Sequence, residues 1–114
     1  MFRAVLPTAL LFLLSGCGPI ISTTAIVHAR SNQQAAIDSR APELAVYEYT
    51  LASHLLDKAW EQQGYSQYQS CRELADEAAR HFVMADRQAR TSADVGSSEE
   101  QLERSEPDVD SRSR

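Results

Sequence analysis

The chain has 114 residues, is 43% apolar and 24% charged, and carries a net charge of −5. That is enough chain for one small domain, which excludes a large α/β enzyme, a dinucleotide-binding fold and a barrel. The acidic balance gives no electrostatic footprint for nucleic acid, and two cysteines permit one disulfide at most.

Residues 1–16 read as a segment outside the fold. Met1-Phe2-Arg3 is a short n-region with one positive charge, and Ala4 to Leu14 is an apolar run. A membrane-spanning helix needs ~20 apolar residues, so this run is too short to span and has the length of a signal-peptide core. It ends in Leu14-Ser15-Gly16-Cys17, which resembles a bacterial lipobox. Small residues at 15 and 16 let an extended backbone enter a peptidase cleft. The resemblance implies cleavage between Gly16 and Cys17, a diacylglycerol thioether on Cys17, and further acylation of the freed amine with a chain such as palmitate. Two or three chains anchor stably, because each buried methylene contributes ~0.8 kcal/mol. Residue 18 is Gly rather than the Asp that commonly retains similar lipoproteins in the inner membrane. The implied location is therefore the periplasmic face of the outer membrane. Cys71 then loses its only intrachain partner and reads as a buried thiol, or as one half of an intermolecular bridge.

Residues 17–22 are expected to form a short lipidated tether, and residues 23–90 a three-helix domain. Ala25, Ala29, Asn32 and Ala36 set a helical spacing over Thr23–Ser39. The second helix is expected over Pro42–Gln63. Pro42 suits the first turn, and Glu43 complements the positive end of the dipole. Leu44, Tyr47, Leu51, Leu55 and Ala59 form one stripe, and Tyr49, Ala52, Leu56 and Trp60 an adjoining one. A face that wide suggests a central helix with two neighbours. Gly64 is expected to close this helix with a positive φ. Ser66 to Gln69 fits a capping box opening the third helix. Tyr68, Cys71, Ala75, Ala78, Phe82, Ala85 and Ala89 then make an unbroken a/d seam. Arg72, Asp76 and Arg80 line its outer face at pairing distance. The Gln63-Gly64-Tyr65 connection is short enough to force an antiparallel hairpin. Residues 91–114 are rich in acid and poor in apolar side chains, and read as a disordered acidic tail, with a short helix near Glu99–Arg104 as the alternative.

The expected class is all-α: an antiparallel helical hairpin with an additional N-terminal helix. The hairpin resembles a single tetratricopeptide unit, with Gly64-Tyr65 at the turn and Cys71 where that repeat usually has Ala. A closer resemblance covers Cys17 to about Arg90. It rests on Cys17-Gly18-Pro19-Ile20-Ile21, Ala41-Pro42-Glu43, Tyr47-Glu48-Tyr49-Thr50, Leu55-Leu56-Asp57-Lys58-Ala59 and Gly64-Tyr65-Ser66-Gln67-Tyr68. These stretches are similar to a domain-of-unknown-function family of short, helical, proteobacterial envelope lipoproteins. Related units are joined in places to an OmpA-like peptidoglycan-binding domain. Val46 before Tyr-Glu-Tyr and Gln67 in the turn depart from that pattern. The resemblance implies a cell-envelope role and no defined activity.

No catalytic constellation is visible: there is no Gly-x-Ser-x-Gly elbow, no phosphate-cradling loop and no His-Glu-x-x-His. His28, His54, His81 and Cys71 show no metal-ligand spacing, so neither metal nor cofactor is expected. The candidate partner-binding residues are Tyr49, Trp60 and Tyr65, set against a plain core-packing role for the aromatics. The expected function is that of a non-enzymatic adaptor lipoprotein offering a helical hairpin to an envelope protein, with self-association through the exposed parts of helices two and three as a further expectation. One alternative is a non-covalent peptidoglycan-associated lipoprotein; the terminal Ser-Arg-Ser-Arg lacks the lysine used for covalent wall linkage. Another is a small lysis- or release-type lipoprotein.

Overall fold

The computed structural model describes residues 17–105, and all of its regular elements are helices. They are α1 (Cys17–Asp38), α2 (Ala41–Leu44), α3 (Val46–Gly64) and α4 (Tyr68–Ser105). Residues 1–16, read above as a leader, and the last nine residues of the expected tail lie outside the described residues.

α1 begins six residues before the expected start, so residues 17–22 are helix rather than tether. Pro19 falls in the first turn, where its missing N–H costs no hydrogen bond. Within the Ile20-Ile21-Ser22-Thr23-Thr24 run the hydroxyls are satisfied by carbonyls one turn back. Ser22 and Thr23 donate to Pro19 O at 3.0 and 2.7 Å, and Thr24 to Ile20 O at 2.9 Å.

α1 closes at Arg40, which adopts a left-handed conformation (φ 63°) and donates its N–H to Ile37 O at 2.9 Å. The expected single helix over Pro42–Gln63 is broken at Ala45 (φ −136°, ψ 52°). Hydrogen bonding carries across the bend, from Ala45 N to Ala41 O (2.9 Å) and from Tyr49 N to Ala45 O (3.0 Å). Ala41 and Ala45 are both buried there, and their small side chains let the bent backbone lie against its neighbours.

The α3–α4 turn corrects two further expectations. Gly64 stays helical, and no glycine among the described residues has a positive φ. Ser66 takes the left-handed position instead, at φ 59°. Its N–H bonds to Gln63 O (3.0 Å) and that of Gln67 to Gln62 O (2.9 Å), the paired bonds of a Schellman motif. Ser66 therefore terminates α3 and does not cap α4. The first α4 bond runs from Cys71 N to Gln67 O at 2.9 Å, and the Gln69 side chain bonds forward to Glu73 rather than back.

Directions follow from the cross-helix contacts. Glu48 meets His81, Tyr49 meets Phe82 and Gln63 meets Cys71, so α3 runs antiparallel to α4. Ser22 lies beside Cys71, and Asn32 Nδ2 reaches Ala79 O at 3.5 Å, so α1 runs parallel to α4. The central element is α4, which packs along both α1 and α3, while those two touch far less. The expected seam on α4 is the axis of the core: Cys71, Ala75, Ala78, Phe82, Ala85 and Ala89 are buried, with Ala79 added towards α1. The α3 face is narrower than two full stripes, because Tyr47 is exposed and Trp60 only half covered. Twelve of the sixteen buried apolar residues are alanine. Small side chains permit close helix approach, but each buries little area, so the bulk of the packing rests on Phe82, Ile26 and Leu56.

Residues 91–105, expected as disordered tail, continue α4 as an exposed helix. Once the packed part of α4 has nucleated, each further residue adds a hydrogen bond without a new nucleation cost. The segment also supports itself locally. Arg104 pairs with Glu100 one turn back at 3.0 Å, and the Thr91 and Ser98 hydroxyls are satisfied on Arg87 O and Asp94 O.

Candidate functional site

The end of the bundle that carries Cys17 also carries the α3–α4 turn. Thr23 Oγ1 there accepts from Gln63 Nε2 at 3.1 Å, and Gln63 Oε1 accepts from the Cys71 thiol at 3.5 Å. Ser22, almost fully buried, completes a polar knot joining all three long helices. Burial pushes the Cys71 thiol above its ordinary pKa, outweighing the bond to Ser22. A buried protonated thiol is a poor nucleophile, so Cys71 is a packing residue. Outside the knot the same end is apolar and aromatic, with Ile20, Ile21 and Tyr65 exposed. Tyr65 is 68% exposed in the turn.

The three aromatic candidates do not form one patch. Tyr49 packs edge-on against Phe82, with ring centroids 5.6 Å apart and planes at 62°, which places it on the rim of the core. Trp60, 44% exposed, lies beneath the Arg30 guanidinium of α1 at 5.6 Å from the ring centroid. Tyr49 and Trp60 share one face of α3 but stand about 16 Å apart along it, and Tyr65 lies beyond the helix end. Of the three, Trp60 and Tyr65 offer accessible ring surface.

No family model, curated protein or solved structure matches the chain.

Two pairings escaped the sequence reading. His81 Nδ1 and a Glu48 carboxylate oxygen lie 2.7 Å apart, both side chains mostly covered, bridging α3 to α4. The cation–π contact of Arg30 with Trp60 bridges α1 to α3. Neither is visible in sequence, because each joins residues whose neighbourhood exists only once the helix directions are set. The expected Arg72, Asp76 and Arg80 pairs are absent from the ion pairs among the described residues. Those side chains instead edge an open groove between α1 and α4. Its floor holds Ala79, Val83 and Met84, with His28, Asn32 and Arg87 along its walls. Among the described residues no three His, Cys, Asp or Glu side chains come together as a metal cluster.

Proposed function

We propose that the protein is a lipid-anchored, non-enzymatic adaptor on the periplasmic face of the outer membrane, holding a short helical bundle against the bilayer and offering its side to an envelope protein. The observation that carries this reading is the Leu14-Ser15-Gly16-Cys17 motif running directly into α1. A lipidated Cys17 would then be the first residue of a rigid element. Anchoring would fix the orientation of the bundle as well as its position. The exposed Ile20, Ile21 and Tyr65 at that end suit a membrane interface, where an apolar body and a polar tip are both accommodated. No helix of the described residues is long and apolar enough to cross a membrane. Confinement to a surface raises the effective concentration of a partner, so a modest contact around Trp60 suffices for tethering. The resemblance to envelope lipoproteins of unknown function belongs to the same reading.

A photocrosslinking amino acid at position 60, in the otherwise intact chain in cells, tests the partner. A discrete envelope-protein adduct that disappears with Cys17→Ser supports a tethered adaptor. Absence of any adduct at position 60 and at neighbouring exposed positions contradicts it. Adducts retained by purified cell wall would favour the peptidoglycan-associated alternative.

A further inference from the structure

Eight lysines and arginines stand among the described residues, and five of them have a partner within the chain. Arg40 pairs with Glu43, Lys58 with Glu61, Arg90 with Asp86 and Arg104 with Glu100, and Arg30 lies over the Trp60 ring. The other three are Arg72, Arg80 and Arg87. All three are exposed, and all three line the same groove between α1 and α4. In a chain of net charge −5, the bases left without an internal partner are thus gathered in one place. Asp76 is the only acid among the described residues that line the groove. Glu73 and Glu77 do not line it, and Asp86 is held by Arg90. The uncompensated charge therefore sits at Arg80 and Arg87.

The spacing says what fits there. Arg80 and Arg87 are two helical turns apart, ~10.5 Å along α4, and the exposed Val83 and Met84 lie between them. A base, an apolar pair and a second base at this interval make one edge of a helix–helix seam, where flanking charges select the partner. The floor is recessed: Ala79 is buried in it, and the Asn32 side chain of α1 reaches the Ala79 carbonyl at 3.5 Å. A ridge of side chains on a helix enters such a recess, whereas a flat bilayer does not. The helix α4 already carries α1 and α3 along two of its sides, and a helix in the groove would cover a third. We propose that the groove between α1 and α4 receives an acidic amphipathic helix of a partner protein. Its apolar side would lie on Val83 and Met84, with carboxylates seven residues apart on Arg80 and Arg87. This rests on the adaptor reading and names the chemistry of the adaptor's partner.

The test places a photocrosslinking amino acid at position 83 of the otherwise intact chain in cells and sequences the crosslinked peptide. The expected adduct joins position 83 to a segment of another protein that has apolar residues at 3-4 spacing and two carboxylates seven residues apart. Arg80→Glu with Arg87→Glu should lower its yield about tenfold. Lysine at the two partner carboxylates should then restore it. Arg104→Glu, at an exposed base outside the groove, should leave the yield unchanged. Arg80→Gln with Arg87→Gln keeps side-chain length and helix propensity, and should give an intermediate yield with an unaltered circular dichroism spectrum. A lipid adduct, an adduct to a second copy of this chain, a partner segment without carboxylates, or a yield indifferent to charge reversal would each overturn the proposal. An adduct at position 60 with none at 83 would overturn the groove and leave the adaptor reading standing. Adducts at neither position would overturn both.

Discussion

Tyr49 of α3 and Phe82 of α4 meet edge to face, 5.6 Å between ring centroids, an aromatic pair at the edge of the core. Phe82 is fully buried, and most of the other buried residues are alanine. Truncating a buried Phe costs about 3–5 kcal/mol, and cores of this size rarely supply more than about that. Phe82→Ala is therefore expected to abolish cooperative thermal unfolding by circular dichroism. Phe82→Leu should keep a folded, less stable protein.

The Glu48–His81 contact at 2.7 Å is the counterpart of that ring pair on the outer side of the same two helices. Removing either partner leaves a mostly covered polar group without its mate. Glu48→Ala and His81→Ala should each lower stability by about 1 kcal/mol. The double variant should be less destabilised than the sum of the two, as measured by urea unfolding of all four proteins.

Arg40 and Ser66 both hold left-handed backbone without being glycine, at a cost of about 1 kcal/mol each. Arg40→Gly and Ser66→Gly should raise the unfolding midpoint. The exposed Arg40–Glu43 ion pair lost in the first contributes little. Gly64→Ala should also stabilise, by up to about 1 kcal/mol, since Gly64 is helical and an added Cβ meets nothing within 4 Å.

Arg90 holds the Asp86 carboxyl below the usual carboxylate range, helped by the Ser39 hydroxyl at the end of α1. A carboxylate depressed in the folded state binds its proton more readily when unfolded. Its contribution is complete above the ordinary carboxylate pKa and is lost as pH falls through the lowered folded value. Stability measured against pH should therefore decline on the acid side, and Asp86→Asn should flatten that part of the curve.

The α4 seam was legible because its 3-4 spacing is unbroken and its members are small. The hairpin followed from the short link after Gln63. Three features were not legible. The spacing of Pro42 to Gln63 gave no sign of the bend at Ala45, because alanine is the strongest helix former and carries no signal of a break. Gly64 was the obvious residue for a positive φ, yet Ser66 takes it, because the turn's position is set by where α4 must dock. Residues 91–105 have the composition of a tail, and composition does not register that a packed helix can propagate outward. The candidate aromatics were found as residues, but their separation by the Phe82 and Arg30 contacts depends on helix direction. The proposed role rests on the four residues Leu14 to Cys17 rather than on any part of the fold.

The mass of the N-terminal peptide from protein isolated out of its own membrane tests the central claim most directly. The expected peptide begins at Cys17 and carries diacylglycerol and acyl mass on that residue. A chain that retains residues 1–16, or begins at an unmodified Cys17, would contradict it.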